Sequence, residues 1–275
     1  MNSGYLVARR NLIQALEALG DYTREAVVVV GAQAVYLQTH EIDVAPFLPF
    51  TLDSDIAVDP RILESTPPIR ETLENHGYSH REGQPGLYWA PGSSDEQPLD
   101  GAAVDILVPE EFASGRGRRD AGLPGDNRGA ARRTPGLEAA LYDKDLLQIG
   151  DLADPSRILE AYVAGPAALL VAKAQKIVER GDDRLKAKDA SDAFLLLRAF
   201  DVDELARRFA ALSGIDDIRG PLARGIDAIR EVFVDGARGR RLFAEALGDD
   251  LDRQELLDAY GFLTQDLKGA LPGVA

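Results

Sequence analysis

Three aspartates on two predicted strands are the residues of this chain whose types and spacing could do chemistry. The stretch TLDSDIAVD, residues 51–59, predicts a β-strand that places Asp53 and Asp55 on one face and Ser54 on the other. Neighbouring carboxylates repel each other, and such a pair is tolerable where it faces open solvent or shares a cation. Asp105 in AVDIL points away from an aliphatic face and is the third candidate. Such a cluster would suit a hard divalent cation such as Mg²⁺, which takes carboxylate and phosphate oxygens.

A glycine lies between a buried strand and the first two aspartates. Residues 27–30, VVVV, form an apolar run typical of a strand buried on both faces, and Gly31 ends it. Glycine lets a ligand approach the backbone closely. AQAVYLQTH then predicts a short helix that begins with Ala32 and Gln33, so the Gln33 side chain could contact a phosphate. The alternative for the D-x-D pattern is a solvated strand face without a ligand.

The elements that must position these residues fall into two halves. A helix is predicted over residues 5–19, and strands and helices then alternate, with Asp59 before Pro60 indicating a further helix start. From Pro166 onward the apolar spacing is helical almost throughout. We therefore predict an α+β protein with an α/β domain over residues 1–160 and a helical domain over residues 161–275.

The first C-terminal helix carries cations, and the next carries carboxylates. Lys173, Lys176 and Arg180 share a helix face at i, i+3 and i+7, which could neutralise a triphosphate or form only a solvated basic stripe. Asp189 and Asp192 also share a face, so they could simply pair with Lys173, Lys176 or Lys188 across the two helices. We favour this orienting role for Asp192 over direct metal binding.

Residues 113–136 differ from the rest of the chain, because glycine, proline and arginine dominate them. We predict a long loop with some extended structure. It could hold an RNA acceptor by its phosphates, or it could be a surface loop whose arginines provide solubility. The arginines in question are Arg116, Arg118, Arg119, Arg128, Arg132 and Arg133.

Composition excludes several classes of protein. The 275 residues carry a net charge of −15, which disfavours general nucleic-acid binding, and they include no cysteine, which excludes disulfides and thiolate chemistry. No apolar run approaches the roughly 18 residues of a membrane span. With no secretory signal visible, we expect a cytoplasmic protein without membrane partners.

The segments VVVVGAQAVYLQTH, TLDSDIAV and AVDIL resemble the nucleotidyltransferase superfamily of the DNA polymerase β type. The order of Lys173, Arg180, Asp189 and Asp192 in KAQKIVERGDDRLKAKDASD is similar to the AbiEii-like toxin group of toxin–antitoxin systems. The resemblance covers roughly residues 26–200. This chain departs from the family in having Gly31-Ala32 where Gly-Gly or Gly-Ser is usual, and in a longer stretch before the D-x-D strand.

The resemblance implies a mixed sheet flanked by helices, followed by a helical bundle, and a two-metal Mg²⁺ site with an NTP as substrate. Asp53 and Asp55 would bind the Mg²⁺ that holds the triphosphate, Asp105 would bind a second ion and activate the attacking hydroxyl, and Lys173 would be catalytic. The nucleotide-binding residues implied are Gly31, Ala32, Gln33, Lys173, Arg180 and Asp192.

Three functions remain open at this point. The first is transfer of an NMP from an NTP to tRNA or another RNA, as the toxin of a pair with a cognate antitoxin protein. The second is a catalytically weakened nucleotidyltransferase fold that works as a binding or antitoxin module, which Ala32 favours. The third is transfer to a cationic, aminoglycoside-like small molecule, which the acidic composition suits.

Overall fold

The computed structural model describes residues 3–20, 25–39, 53–63, 67–97, 102–115, 119–126, 128–179, 185–248 and 252–273. These residues form an α+β protein with one open, mixed β-sheet. The strands are β1 (Val27–Val30), β2 (Asp53–Val58), β3 (Ser79–His80), β4 (Leu87–Trp89), β5 (Ala103–Pro109), β6 (Asp120–Ala121), β7 (Ala131–Thr134), β8 (Lys144–Gly150) and β9 (Ile158–Ala164).

The described helices include nine α-helices. They are α1 (Ser3–Leu19), α2 (Gly31–Gln38), α3 (Ile69–Asn75), α4 (Pro166–Glu179), α5 (Leu185–Ala199), α6 (Val202–Ser213), α7 (Arg219–Ile229), α8 (Arg238–Leu247) and α9 (Arg253–Ala270). None of the helices that the structure describes is long and apolar enough to cross a membrane.

The order of the strands places the aspartate-bearing strands at the centre of the sheet. The main path runs β3-β4-β5-β2-β1-β9-β8. β1 is antiparallel to β2 and parallel to β9, whereas β2 is parallel to β5. β7 extends the sheet beside the far end of β5, and β6 pairs with β7. The segment expected to be a long loop with extended structure therefore contributes two short strands.

The two faces of the central strands carry different helices. α1 contacts β2 and β5, and the Ser54 hydroxyl donates to the carbonyl oxygen of Ala8 on α1 at 3.1 Å. α2 contacts β2 and also α4 and α5. Since Ser54 faces α1, strand alternation turns Asp53 and Asp55 away from α1.

Sequence periodicity located α1, β1 and the helical C-terminal region correctly, but it did not predict β8 and β9. α1 ends at Leu19, directly before Gly20, which has a φ of 68°. The expected helix start at Asp59-Pro60 is wrong, because residues 60–62 form a turn and the next described helix, α3, begins at Ile69. The Asp59 carboxylate accepts hydrogen bonds from the backbone N–H and guanidinium of Arg61, and these stabilise the turn.

The C-terminal helices pack on one another and on the sheet domain. Phe194, Phe243 and Tyr260 stack in their core, with ring centroids 4.4 Å apart for the two phenylalanines and 5.1 Å apart for Phe243 and Tyr260. β9 is a continuous strand across the expected domain boundary at residues 160–161, and α4 begins at Pro166. The division into two domains stays a prediction.

Candidate functional site

Asp55 and Asp105 lie side by side on neighbouring strands. β2 and β5 are parallel, and their register pairs Asp55 with Asp105 and Asp53 with Ala103. Asp53, two residues before Asp55, points to the same face. Neither the Asp53 nor the Asp55 carboxylate accepts a hydrogen bond from any residue that the structure describes. The alternation in the sequence therefore predicted correctly that all three carboxylates lie on the same face of the sheet.

Gly31 is in direct contact with this group. It follows β1, where Val30 pairs with Asp55 in the antiparallel register, and it has a φ of 70°. A Cβ atom at this position would lie 2.0 Å from Oδ2 of Asp55. Glycine is required here for two reasons, its left-handed backbone and the space that the Asp55 carboxylate occupies.

The residues after Gly31 start α2. The N-cap residue of this helix, Val30, provides no side-chain hydrogen bond to its first turn, and Ala32 lines the cleft in front of the aspartates. Gln33, in contrast, is fully buried, and its Oε1 accepts a hydrogen bond from Nε of Arg9 at 3.1 Å. Gln33 thus lies beneath the first turn of the helix and is not part of the cleft lining.

Lys173 lies at the base of the cleft between α4 and α5. It is 4% exposed, and its ammonium group donates to Asp189 at 3.1 Å and to Asp192. Burial lowers the pKa of Lys173, but attraction by Asp192 and Asp189 outweighs burial and raises this pKa above its ordinary value. The lysine is therefore a permanently charged partner of two buried carboxylates. Arg180 lies outside the described residues.

Two further lysines line the cleft nearer the aspartates. Lys176 lies on α4 and Lys188 on α5, and neither forms an ion pair with a residue in the described part of the chain. Burial lowers the pKa of Lys188 to about 8, although the Asp192 and Asp189 carboxylates oppose this shift. Sequence analysis treated Lys188 only as a partner for carboxylates. The spacing of the lysines in KAKD gave no indication that Lys188 lines the cleft.

The carboxylate of Asp105 is largely buried and has a single hydrogen-bond partner among the described residues. Its side chain is 14% exposed, its Oδ2 accepts a hydrogen bond from Nη2 of Arg132 at 2.9 Å, and its Oδ1 is buried without a partner among the described residues. Burial and the adjacent Asp55 raise the pKa of Asp105 to about 7, and Arg132 opposes the shift. Desolvation by the surrounding protein and the charge of Asp55 also raise the pKa of Asp53.

Some of the predicted arginines reach the same cleft. Arg119, Arg132 and Arg133 line it from the side of β6 and β7, and an Nη atom of Arg133 donates to the carbonyl oxygen of Ala113 at 3.3 Å. Arg128 is described but does not line the cleft. Arg116 and Arg118 lie outside the described residues.

The cleft has a volume of about 550 Å³. It is lined by carboxylates of β2 and β5, by lysines of α4 and α5, and by arginines of the β6–β7 extension. The lysines and arginines of the lining suit a polyanionic ligand, and its carboxylates suit a cation bound with that ligand.

The donor chemistry of the cleft fits Mg²⁺. It provides three carboxylates, and one buried oxygen of Asp105 has no partner among the described residues. Among the residues that the structure describes, however, no three His, Asp or Glu side chains are placed together so as to hold a metal ion. The Asp105 carboxylate is instead paired with Arg132.

Comparisons with protein-family models, with curated proteins and with solved structures gave no match to this chain. The resemblance to nucleotidyltransferases consequently stays a prediction that is based on the motifs and their geometry.

Proposed function

We propose that this protein is a Mg²⁺-dependent nucleotidyltransferase with the polymerase-β type of arrangement, which moves an NMP from an NTP to an acceptor. The observation that carries the proposal is the pairing of Asp55 with Asp105 on parallel strands, with Gly31 packed against Asp55. The lysine side of the same cleft supports it, because nucleotidyl transfer needs charge neutralisation and positioning more than covalent chemistry from the protein.

In this proposal the acceptor hydroxyl forms a bond to the α-phosphorus, the bond to the bridging oxygen breaks, and pyrophosphate leaves. Asp53, Asp55 and Asp105 would hold Mg²⁺, which supplies neutralisation of phosphate charge and orientation of the reacting oxygens. Asp105, whose Oδ1 has no partner among the described residues, accepts the proton of the attacking hydroxyl.

The cations of α4 and α5 divide into two roles. Lys176 and Lys188 have no ion-pair partner among the described residues, so they are available to the triphosphate and to the departing pyrophosphate. Lys173 donates to Asp189 and Asp192, so it holds α4 against α5, and its charge adds positive electrostatic potential to the cleft. This assignment moves Lys173 from direct catalysis to positioning.

The acceptor and the biological setting are extensions of this proposal. The arginines beside the cleft favour an anionic acceptor such as tRNA or another RNA over a cationic, aminoglycoside-like molecule, since like charges repel. A role as the toxin of a toxin–antitoxin pair would add a cognate antitoxin as protein partner.

A labelling experiment tests the proposed function. Purified protein is incubated with Mg²⁺, total RNA and each NTP in turn, radiolabelled in the α-phosphate. Asp53→Asn should abolish transfer of the label. Asp266→Asn is the matched control, because Asp266 is an equally exposed aspartate on α9, outside the cleft.

The outcomes separate the candidate functions. Label in RNA that is lost only in Asp53→Asn supports the proposal and names the nucleotide. Label on an added aminoglycoside moves the acceptor to small molecules. Equal label in both variants would refute the site, and no label despite Mg²⁺–NTP binding would indicate a nucleotide-binding module.

A further inference from the structure

Arg132 contacts one of the three carboxylates on which the proposed function depends. Its Nη2 donates to Oδ2 of Asp105 at 2.9 Å, whereas the carboxylates of Asp53 and Asp55 accept no hydrogen bond from the described part of the chain. A guanidinium bound to a carboxylate occupies lone pairs that a divalent cation would need. In this state the Asp105 carboxylate is therefore only partly available as a ligand.

The backbone fixes where Arg132 lies. β7 is parallel to β5, and the register pairs Arg132 with Leu107, two residues beyond Asp105 and on the same sheet face. A Cβ at Gly86 would lie 2.7 Å from the backbone nitrogen of Arg132, so this strand packs closely against the β3–β4 turn. Only the side chain of Arg132 is free to leave the carboxylate.

The ion pair between Arg132 and Asp105 leaves one polar atom of each residue without a hydrogen bond. Oδ1 of Asp105 and Nε of Arg132 are both buried, and neither has a hydrogen-bond partner among the described residues. A bidentate arginine–carboxylate pair would use two parallel hydrogen bonds, and this one uses a single bond. A ligand that satisfies both oxygens of Asp105 would therefore compete well against Arg132.

We propose that Arg132 is an internal counter-ion that occupies Asp105 until a divalent cation displaces it, and that it thereby sets the metal affinity of the site. Arg132 acts through Asp105 and is a positioning residue. This inference rests on the proposed function, because it requires the aspartates to bind a cation. The Arg132 side chain is 39% exposed, so it has space to swing into the cleft when the cation binds.

Direct titration of the full chain with Mn²⁺ alone tests the inference, with free Mn²⁺ measured by electron paramagnetic resonance. Arg132→Gln removes the competing charge, and Arg133→Gln removes the same charge from the next residue, which lines the same cleft. We expect Arg132→Gln to bind Mn²⁺ about tenfold more tightly than wild type, equivalent to about 1.4 kcal/mol. Arg133→Gln should change the affinity by less than about twofold, because its charge is not paired with Asp105.

Arg132→Lys provides a second variant in case the glutamine variant does not fold by circular dichroism. It keeps the charge but loses the planar fork, and it should bind Mn²⁺ about threefold more tightly than wild type. Asp105→Asn should remove most of the Mn²⁺ affinity in either background, which shows that Arg132 acts through this carboxylate.

Two negative results have different meanings. If wild type binds Mn²⁺ and Arg132→Gln binds it equally or more weakly, the counter-ion role is overturned and the proposed function stands. Arg132→Lys is judged by the same criterion if only that variant folds. Absence of Mn²⁺ binding in wild type and in every variant overturns the metal site itself, and the inference with it.

Discussion

Replacing Gly31 by alanine perturbs the packing of this residue against the Asp55 carboxylate. The added Cβ would lie 2.0 Å from Oδ2 of Asp55, whereas ordinary contacts begin near 3.4 Å, so the carboxylate has to move by about 1.4 Å. Alanine also has to adopt a φ of 70°, which costs about 1–2 kcal/mol. Together with about 1–3 kcal/mol for overpacking, we expect a loss of about 2–5 kcal/mol in unfolding free energy.

Gly83→Ala is a matched control. Gly83 has a φ of 74°, and no atom lies within 4 Å of a Cβ built on it. This variant has the same backbone strain without the collision, so its free energy of unfolding should fall by only about 1–2 kcal/mol. Thermal melts followed by circular dichroism should resolve the two, since each kcal/mol shifts the melting temperature by about 2–4 °C in a protein of this size.

The collision should affect activity more than stability. A displacement of about 1 Å at a reacting group commonly lowers the rate about a hundredfold. We therefore expect Gly31→Ala to lose label transfer by about that factor and Gly83→Ala to keep it. If both variants melt together and transfer equal label, Asp55 does not pack against Gly31, and the geometry proposed for the site is wrong.

Two further predictions concern buried charges. Lys173→Met removes the buried cation that pairs with both Asp189 and Asp192, so it should lower the unfolding free energy by about 3–5 kcal/mol in urea denaturation. Replacing both aspartates by asparagine in the same variant should restore most of this loss. An unfolding free energy equal to that of wild type would contradict the buried pairing. Burial raises the pKa of Glu138, so the folded protein retains this proton to higher pH than the unfolded chain, and stability falls as pH rises through the raised pKa. Glu138→Gln should then melt above wild type at about pH 8, with the difference vanishing near pH 4, and a pH-independent difference would refute the assignment.

Local patterns predicted the features that depend on a few neighbouring residues. The run of four valines forms β1, and the alternation in DSDIAV sets the shared face of Asp53 and Asp55. The phase of Asp105 on β5 followed from the same alternation. These predictions succeeded because the side-chain period of a strand is two residues, whatever the strand pairs with.

The same patterns could not show which polar side chains are buried in contacts with other parts of the protein and which line the cleft. Gln33 opens a helix beside the cleft, yet it is buried against Arg9 because α1 packs beneath that turn. Lys173 shares a helix face with Lys176, yet it is the lysine enclosed by α5. Helical spacing predicts that two residues share a face, but the neighbouring element determines which of them is enclosed.

The sequence by itself determined that strands carrying aspartates follow a glycine turn, and that helices rich in lysine and aspartate come later. Only the tertiary structure decided that Asp55 lies beside Asp105, and that Arg132 reaches back to hold Asp105. The physical reason is that strand register and order are long-range properties. They result from the packing of elements far apart in the chain, which no local spacing of residues records.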